Sequence, residues 1–279
     1  MVKLWRNNKT SEYRQTMTLP FIKWAGGKRK LLPIIKEYIP KNYNTYFEPF
    51  IGGGALFFNL QPENAVISES NKRLIRTYKA IKSNVFDVID LLKTYPYDPD
   101  FFKQIRQLDI DNYSDVEVAA WFIYLNKSCF NGLYRVNKQN QFNAPFGRYL
   151  NPTICDENTL LECSKTLQTT SILAADFRDS LKMCKPGDFV YLDPPYVPLS
   201  ITSSFTSYTS EGFGLKEHTE LRDSLIGFKN AGVSFLLSNS SSPIVKDLYK
   251  GFEIIEVLAA RSINRNSSCR GKIAEYLIR

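Results

Sequence analysis

Residues 188–196 read Asp-Phe-Val-Tyr-Leu-Asp-Pro-Pro-Tyr. Phe189 to Leu192 form an unbroken apolar run that ends at a carboxylate, Asp193. A short continuous apolar run bounded by turn residues predicts a strand buried on both faces, as inside a parallel sheet. Pro194 and Pro195 have no N–H to give to a ladder, and each restricts the residue before it. The strand therefore stops at Asp193. It delivers that carboxylate, the Pro194 carbonyl and the Tyr196 ring to the carboxyl edge of the sheet, where open α/β folds bind ligands. Together these groups suit a planar amine: the ring stacks on it and the two oxygens accept its two N–H hydrogens. A plain strand followed by a Pro-Pro turn is the alternative this stretch leaves open.

Two earlier strand ends also carry acids. Tyr43 to Phe50 reads as a strand running into Glu48-Pro-Phe50-Ile-Gly52-Gly-Gly54 and then a helix. Strand, glycine turn and helix open a nucleoside-binding βα unit, although Phe57 stands where a dinucleotide fingerprint has its third glycine. Ala65 to Ser68 reads as a second strand with Glu69 at its end. That carboxylate is placed to accept from ribose hydroxyls, or to sit at the N-terminus of a helix over 71–82; the two readings are compatible. Upstream, Trp24-Ala-Gly-Gly-Lys28 permits close backbone approach but lacks the spacing of a phosphate-binding loop. A short amphipathic helix follows over 31–39.

Between about 85 and 165 the strand–helix alternation gives way to helical patterns at 85–92, 101–108 and 116–127. A segment rich in Asn, Gln and Gly follows, from Asn126 to Asn151. Alternation around 133–136 and 141–144 predicts a β-hairpin. Phe130, Tyr134, Phe142, Phe146 and Tyr149 are interleaved there with Arg135 and Arg148. Apolar wedges and Arg, Asn or Gln side chains are the means of parting and reading DNA bases; equally, the aromatics form the core of a small subdomain. The α/β pattern resumes at 171–174, followed by Asp176-Phe177. After Tyr196 comes a Ser/Thr-rich stretch, 198–214, with the length of a lid. A helix at 215–231, a strand at 233–237, a loop at 238–242 and elements at 245–249, 254–258 and 274–278 complete the chain. The basic stretch 261–272 reads either as a phosphate-contacting loop or as a solvated turn.

The chain has 279 residues, 43% of them apolar, a formal charge of +8 and a pI near 9.1. Such a balance suits a polyanionic partner. No acid occurs between Glu117 and Asp156, where Lys127, Arg135, Lys138 and Arg148 lie. The five cysteines form no C-x-x-C pair and His218 is the single histidine. The pattern argues against a zinc site or disulfide framework and fits a reducing cytoplasm. Residues 1–17 are polar and charged, unlike a signal peptide, and no apolar run reaches membrane-spanning length.

The order of these signals is more specific than any one of them. W-A-G-G-K at 24–28, an acid four residues before a G-x-G turn, an acid after the next strand, a basic insertion, then D-P-P-Y: the chain closely resembles the DNA adenine methylase family from about Pro20 onward. N-G-L-Y-R (131–135), F-N-A-P-F-G-R-Y (142–149) and L-S-N-S-S-S (237–242) resemble in particular its GATC-modifying members from restriction systems. The resemblance implies an α/β fold, with a Rossmann-like S-adenosylmethionine-dependent sheet formed by 20–70 and 166–279. It also implies an inserted, mainly helical target-recognition unit at 71–165 carrying the hairpin, behind a flexible leader, 1–19.

By the same resemblance Trp24, Lys28, Glu48, Phe50, Gly52, Gly54, Glu69, Asp176, Phe177 and Asp193 hold S-adenosylmethionine. Relatives usually carry Asp at the position of Glu69. Asp193, Pro194, Pro195 and Tyr196 form the catalytic tetrapeptide. Lys23, Phe130, Asn131, Leu133, Arg135, Asn137, Pro145 and Arg148 face double-stranded DNA, with Phe130 as the wedge behind a flipped base and Arg135 reading a guanine. The implied reaction is methyl transfer to adenine N6 without a metal, by a monomer or weak dimer in a prokaryotic or phage-infected cell. A methyltransferase for another planar amine (cytosine N4 or RNA) and a non-catalytic DNA-binding protein are the competing readings.

Overall fold

The computed structural model describes residues 18–198, 213–260 and 272–279. The leader up to Met17, most of the Ser/Thr-rich stretch and nearly all of the basic stretch 261–272 lie outside the described residues. Seven strands form one sheet: β1 (Tyr46–Glu48), β2 (Ala65–Glu69), β3 (Thr170–Ala174), β4 (Phe189–Leu192), β5 (Ser234–Ser240), β6 (Ile254–Ala260) and β7 (Lys272–Ile278). Their spatial order is β3-β2-β1-β4-β5-β7-β6. The first five run parallel. β7 is antiparallel to both its neighbours.

β4 sits at the centre, and all four of its residues are buried. Its N-terminal side is pinned by Asp188, whose Oδ1 accepts from Thr45 N at 3.1 Å and whose Oδ2 accepts from Lys185 N at 2.8 Å. Successive strand side chains alternate between two cores. Tyr46, Phe189 and Tyr191 face one; Phe47, Val190 and Leu192 face the other. The first core is covered by α1 (Leu32–Glu37), α2 (Ala55–Leu60), α3 (Lys72–Ser83), α4 (Val85–Lys93), α5 (Pro99–Arg106), α6 (Asp115–Ser128) and α7 (Glu157–Leu167). The second is covered by α8 (Phe177–Leu181), α9 (Leu215–Ala231) and α10 (Pro243–Leu248).

α6 is the hub of the helical side. A capping box of Ser114 and Glu117 starts it, satisfying two otherwise orphaned N–H groups. Residues Val118 to Asn126 are then buried without interruption, so the helix is enclosed on all sides. α3 packs against β2 and β3 on one side and against α6 and α7 on the other. The sheet and the helical region thus share one hydrophobic core.

Three sequence expectations are corrected. The strand expected over 43–50 is only Tyr46–Glu48, because Pro49 follows and the chain turns at once into the glycines. The expected hairpin has no regular strands; two isolated antiparallel bridges, Cys129↔Phe146 and Val136↔Phe142, hold its arms. The polar run after Leu237 was expected as a loop, yet Ser238, Asn239 and Ser240 continue β5 and are buried. Ser238 Oγ, Asn239 Oδ1 and Ser240 Oγ find partners there, which offsets much of the cost of burying polar groups in a strand.

Candidate active site

The sheet order reverses between β1 and β4, which makes their adjoining carboxyl ends the topological switch point. Glu48 ends β1 and Asp193 follows β4 directly, in strands paired at Phe47↔Val190. Two carboxylates therefore meet in a buried corner. Glu48 is 3% exposed and accepts from the Tyr46 hydroxyl at 2.6 Å. Burial is the main reason its pKa is pushed up to about 8; the charge of Asp193 adds to the rise, while the Tyr46 hydroxyl and the Phe57 backbone N–H oppose it. Burial also raises Asp193, against the pull of Lys28.

Lys28 is the cation of this corner. Its Nζ lies 2.8 Å from Asp193 Oδ1, donates to the Gly26 carbonyl at 2.8 Å and sits 4.7 Å from the centre of the Tyr196 ring. The ammonium thus touches both groups that a stacked amine needs, the carboxylate and the ring face. Tyr196 is turned by its hydroxyl, which donates to Glu275 of β7 at 2.8 Å. Pro194 is buried and Pro195 exposed.

The glycine turn is shaped by its neighbours as well as by strand geometry. Gly52 and Gly54 have φ of 45° and 69°, in the left-handed region. A Cβ on Gly52 would lie 2.5 Å from the Trp24 ring, and one on Gly54 would lie 2.8 Å from the Tyr78 hydroxyl. Only glycine meets both conditions. Trp24 stacks in turn beside Phe122 and Tyr134, at 6.3 and 6.1 Å.

Glu69 accepts through Oε1 from Ser70 N, Ser70 Oγ and Asn71 N at 2.9, 3.1 and 3.4 Å. Oε2 makes no hydrogen bond among the described residues. Phe50 and Phe177 stack at 5.5 Å, and Phe213 packs edge-on to Phe50 at 5.4 Å. Asp176 caps α8 through Arg178 N at 2.9 Å and is paired with the Arg178 guanidinium, which lies 4.6 Å from the Phe177 ring. Phe177 is 4% exposed. A Phe50–Phe177 wall, a glycine cradle and a free acceptor on Glu69 fit the adenosine and ribose of a nucleoside cofactor.

The second set of sequence candidates lies along 130–149. Phe130 is the exposed aromatic, at 51%, and its N–H donates to the Pro145 carbonyl at 2.8 Å. Phe142 is buried, Phe146 stacks on Tyr97 at 4.8 Å and Tyr134 stacks on Phe122 at 4.8 Å. Those three are core, as the subdomain reading allowed. Lys23 lies over the Tyr149 ring at 4.6 Å. Arg135 and Arg148 are exposed and Leu133 is half-buried. Asn131 is left-handed at φ 54°, and its N–H donates to the Tyr149 hydroxyl at 2.7 Å. The Asn137 side chain is spent within the tip, with Oδ1 accepting from the N–H groups of Gln139 and Gln141 at 3.0 and 2.9 Å.

Residues 24–263 match the model of the D12 class N6 adenine-specific DNA methyltransferases. The chain belongs to this family. It is 47% identical over 267 residues to the Type II methyltransferase M1.LlaDCHI of Lactococcus lactis subsp. cremoris, covering 93% of this chain and 94% of that one. To the Type II methyltransferase M.MjaIII of Methanocaldococcus jannaschii it is 40% identical, over 90% of this chain and 93% of the other. It is 33% identical to a DNA adenine methylase of Haemophilus influenzae, covering 92% of each. The chain is thus an enzyme of DNA adenine N6 methylation.

Several residues that hold this candidate site together escaped the sequence reading. Asn126 of α6, 1% exposed, accepts from Lys23 N at 2.8 Å and donates to the Lys23 and Gly132 carbonyls at 2.8 and 3.0 Å. It ties the segment of Trp24 and Lys28 to the segment 130–149. Asn239 Oδ1 accepts from Val197 N at 3.2 Å and Ser240 Oγ donates to the Val197 carbonyl at 2.5 Å, so β5 holds the residue after Tyr196 from both sides. Ser238 Oγ pairs with the Tyr191 hydroxyl at 2.9 Å. The L-S-N-S-S-S resemblance flagged this run without a role. Glu275 gave no signal at all. Among the described residues no group of three or more His, Cys, Asp or Glu is placed to hold a metal, and no described helix is long and apolar enough to cross a membrane.

Proposed function

We propose that this methyltransferase modifies adenine N6 in double-stranded GATC, with S-adenosylmethionine as donor and with the target base turned out of the helix. The observation that carries the reading is the corner at the switch point, where the Asp193 carboxylate and the Tyr196 face converge on Lys28. Bound S-adenosylmethionine would supply a methyl group already activated by sulfonium charge. Trp24, Lys28, Glu48, Phe50, Gly52, Gly54, Glu69, Asp176 and Phe177 are the residues assigned to hold it. The glycine cradle, the free Oε2 of Glu69 and the Phe50–Phe177 wall support that assignment.

The chain's own work is positioning. Adenine N6 is a poor nucleophile because its lone pair is delocalised into the ring. Asp193 and the Pro194 carbonyl each accept one N–H, which favours a pyramidal nitrogen with the lone pair exposed. Tyr196 stacks on the base, and Pro195 stiffens the turn. Holding reacting groups in line is worth roughly 7–11 kcal/mol in favourable cases. Lys28 has to yield the Tyr196 face as the base arrives, and its charge favours the carboxylate form of Asp193 against the opposing effect of burial. A base reaches this corner only by leaving its stack, at a cost of about a few kcal/mol. Exposed Phe130 is the wedge assigned to fill the gap. Lys23, Asn131, Leu133, Arg135, Asn137, Pro145 and Arg148 make up the remaining DNA face, and 71–165 is the unit that carries most of it.

The GATC assignment rests on the resemblance of 131–135 and 142–149. Mapping methyladenine in DNA from cells expressing the chain tests it: marks confined to GATC support the reading, and marks at another sequence, or on cytosine, overturn it. Asp193→Ala is expected to abolish every mark with the fold intact.

A further inference from the structure

The base-facing segment contains one contact that the assignment of Arg135 does not explain. Arg135 is exposed, yet its guanidinium is held along one edge by a single residue. Nε donates to Asn143 Oδ1 at 2.7 Å and Nη2 donates to the Asn143 backbone carbonyl at 2.9 Å. Asn143 N in turn donates to the Arg135 carbonyl at 2.9 Å. Asn143 itself is firmly placed. Phe142 and Ala144 on either side are 5% and 1% exposed, and Phe142 packs edge-on against Trp121 and Tyr134, both at 5.9 Å. The bridge Val136↔Phe142 lies just inside this pair.

A guanidinium carries five N–H groups in one plane. Asn143 occupies Nε–H and one N–H of Nη2. Three N–H groups remain: one on each Nη, which point the same way and form the terminal edge, and the second N–H of Nη1, on the side of Cδ. The terminal edge is the fork that matches guanine O6 and N7 in the major groove. An exposed arginine otherwise samples many rotamers and loses that freedom on binding. Here the plane is set before DNA arrives.

We propose that Asn143 is a specificity-positioning residue: its two oxygens orient Arg135 so that the guanidinium's terminal edge reads a guanine. The proposal rests on the base-reading assignment of Arg135 and adds the residue that gives it direction. Asn143 acts through Arg135 and has no base contact of its own. Removing its side-chain oxygen therefore affects discrimination at the base pair Arg135 reads, and leaves general DNA affinity in place.

The test measures kcat/KM on a GATC duplex and on duplexes with one base pair changed, for the full chain and its variants. Asn143→Ala is expected to lower discrimination about five- to tenfold at a single G·C position, the same position that Arg135→Ala affects. Asn143→Asp keeps the acceptor and is expected to retain the discrimination. Asn143→Ser places its hydroxyl out of reach and is expected to behave as Ala does, which covers the case of an unstable alanine variant. The double variant Arg135→Ala/Asn143→Ala is expected to match Arg135→Ala alone, since the two residues act as one. Additive losses, or an equal fall in kcat on every duplex, overturn the proposal. If Arg135→Ala flattens one position and Asn143→Ala flattens none, the proposal falls and the Arg135 assignment stands. If Arg135→Ala flattens no position, the base-reading assignment falls with it.

Discussion

Asp193 is under two opposed influences, burial that favours its neutral form and a lysine at 2.8 Å that favours the carboxylate. In the proposed role of Asp193 the carboxylate is the form that accepts an N–H, so the lysine would set how far into acid the enzyme works. Lys28→Met is expected to lower kcat/KM and to move the acid limb of its pH profile upward, because the carboxyl loses its counter-charge. A limb that stays in place would show that Asp193 does not titrate there. Tyr196 combines a stacking face with a hydroxyl bonded to Glu275. Tyr196→Phe keeps the face and loses a charge-assisted hydrogen bond, so about 1–2 kcal/mol of stability is expected to go while methylation persists. Tyr196→Ala is expected to lose the reaction as well. Urea denaturation and single-turnover rates separate the two effects.

At the scale of elements, α6 joins the two halves of the site. Asn126 near its C-terminus satisfies three backbone groups at once, two on Lys23 and one on Gly132. Asn126→Ala leaves all three without that partner, and a loss of about 2–4 kcal/mol is expected in chemical denaturation. This clamp also explains what could be read from the sequence and what could not. The strand ends at Glu48, Glu69 and Asp193 were legible because apolar runs, glycines and prolines act locally. The switch point followed once those strands were ordered in parallel. Asn126 and Lys23 are 103 residues apart, Tyr196 and Glu275 are 79 apart, and Val197 and Asn239 are 42 apart. No local pattern marks a polar residue that acts through a partner so distant. The same cause produced the error at 238–240. A polar run looks like a loop until the groups that satisfy it are known. The alternation of 130–149 is real and its arms do pair at Val136↔Phe142 and Cys129↔Phe146, but packing of Phe142 and Phe146 into the helical core accompanies short bridges in place of regular strands.

Across the whole molecule, two buried groups tilt stability with pH in opposite senses. Glu48 holds its proton up to about 8 when folded, against 4.5 ordinarily. The folded state then binds the extra proton, so its contribution is full below about 4.5 and is lost as pH rises toward 8. His218 is held neutral by burial, with its pKa down to about 4 from 6.5. Its contribution is present above 6.5 and is lost as pH falls toward 4. Glu48→Gln is expected to flatten the decline of Tm between pH 5 and 8 relative to the unaltered chain; parallel curves would mean that Glu48 is ionised when folded. The shared core has a different consequence, for exchange of the proposed DNA-reading loop between relatives. A Cβ on Gly132 would lie 2.5 Å from the Lys23 side chain, and Phe122 of α6 stacks on both Trp24 and Tyr134. Transplanting 130–149 alone into a homologous scaffold would therefore set a foreign loop against the wrong anchor. The smallest portable cassette is discontinuous: the loop, the end of α6 and the strip around Lys23 and Trp24 must travel together.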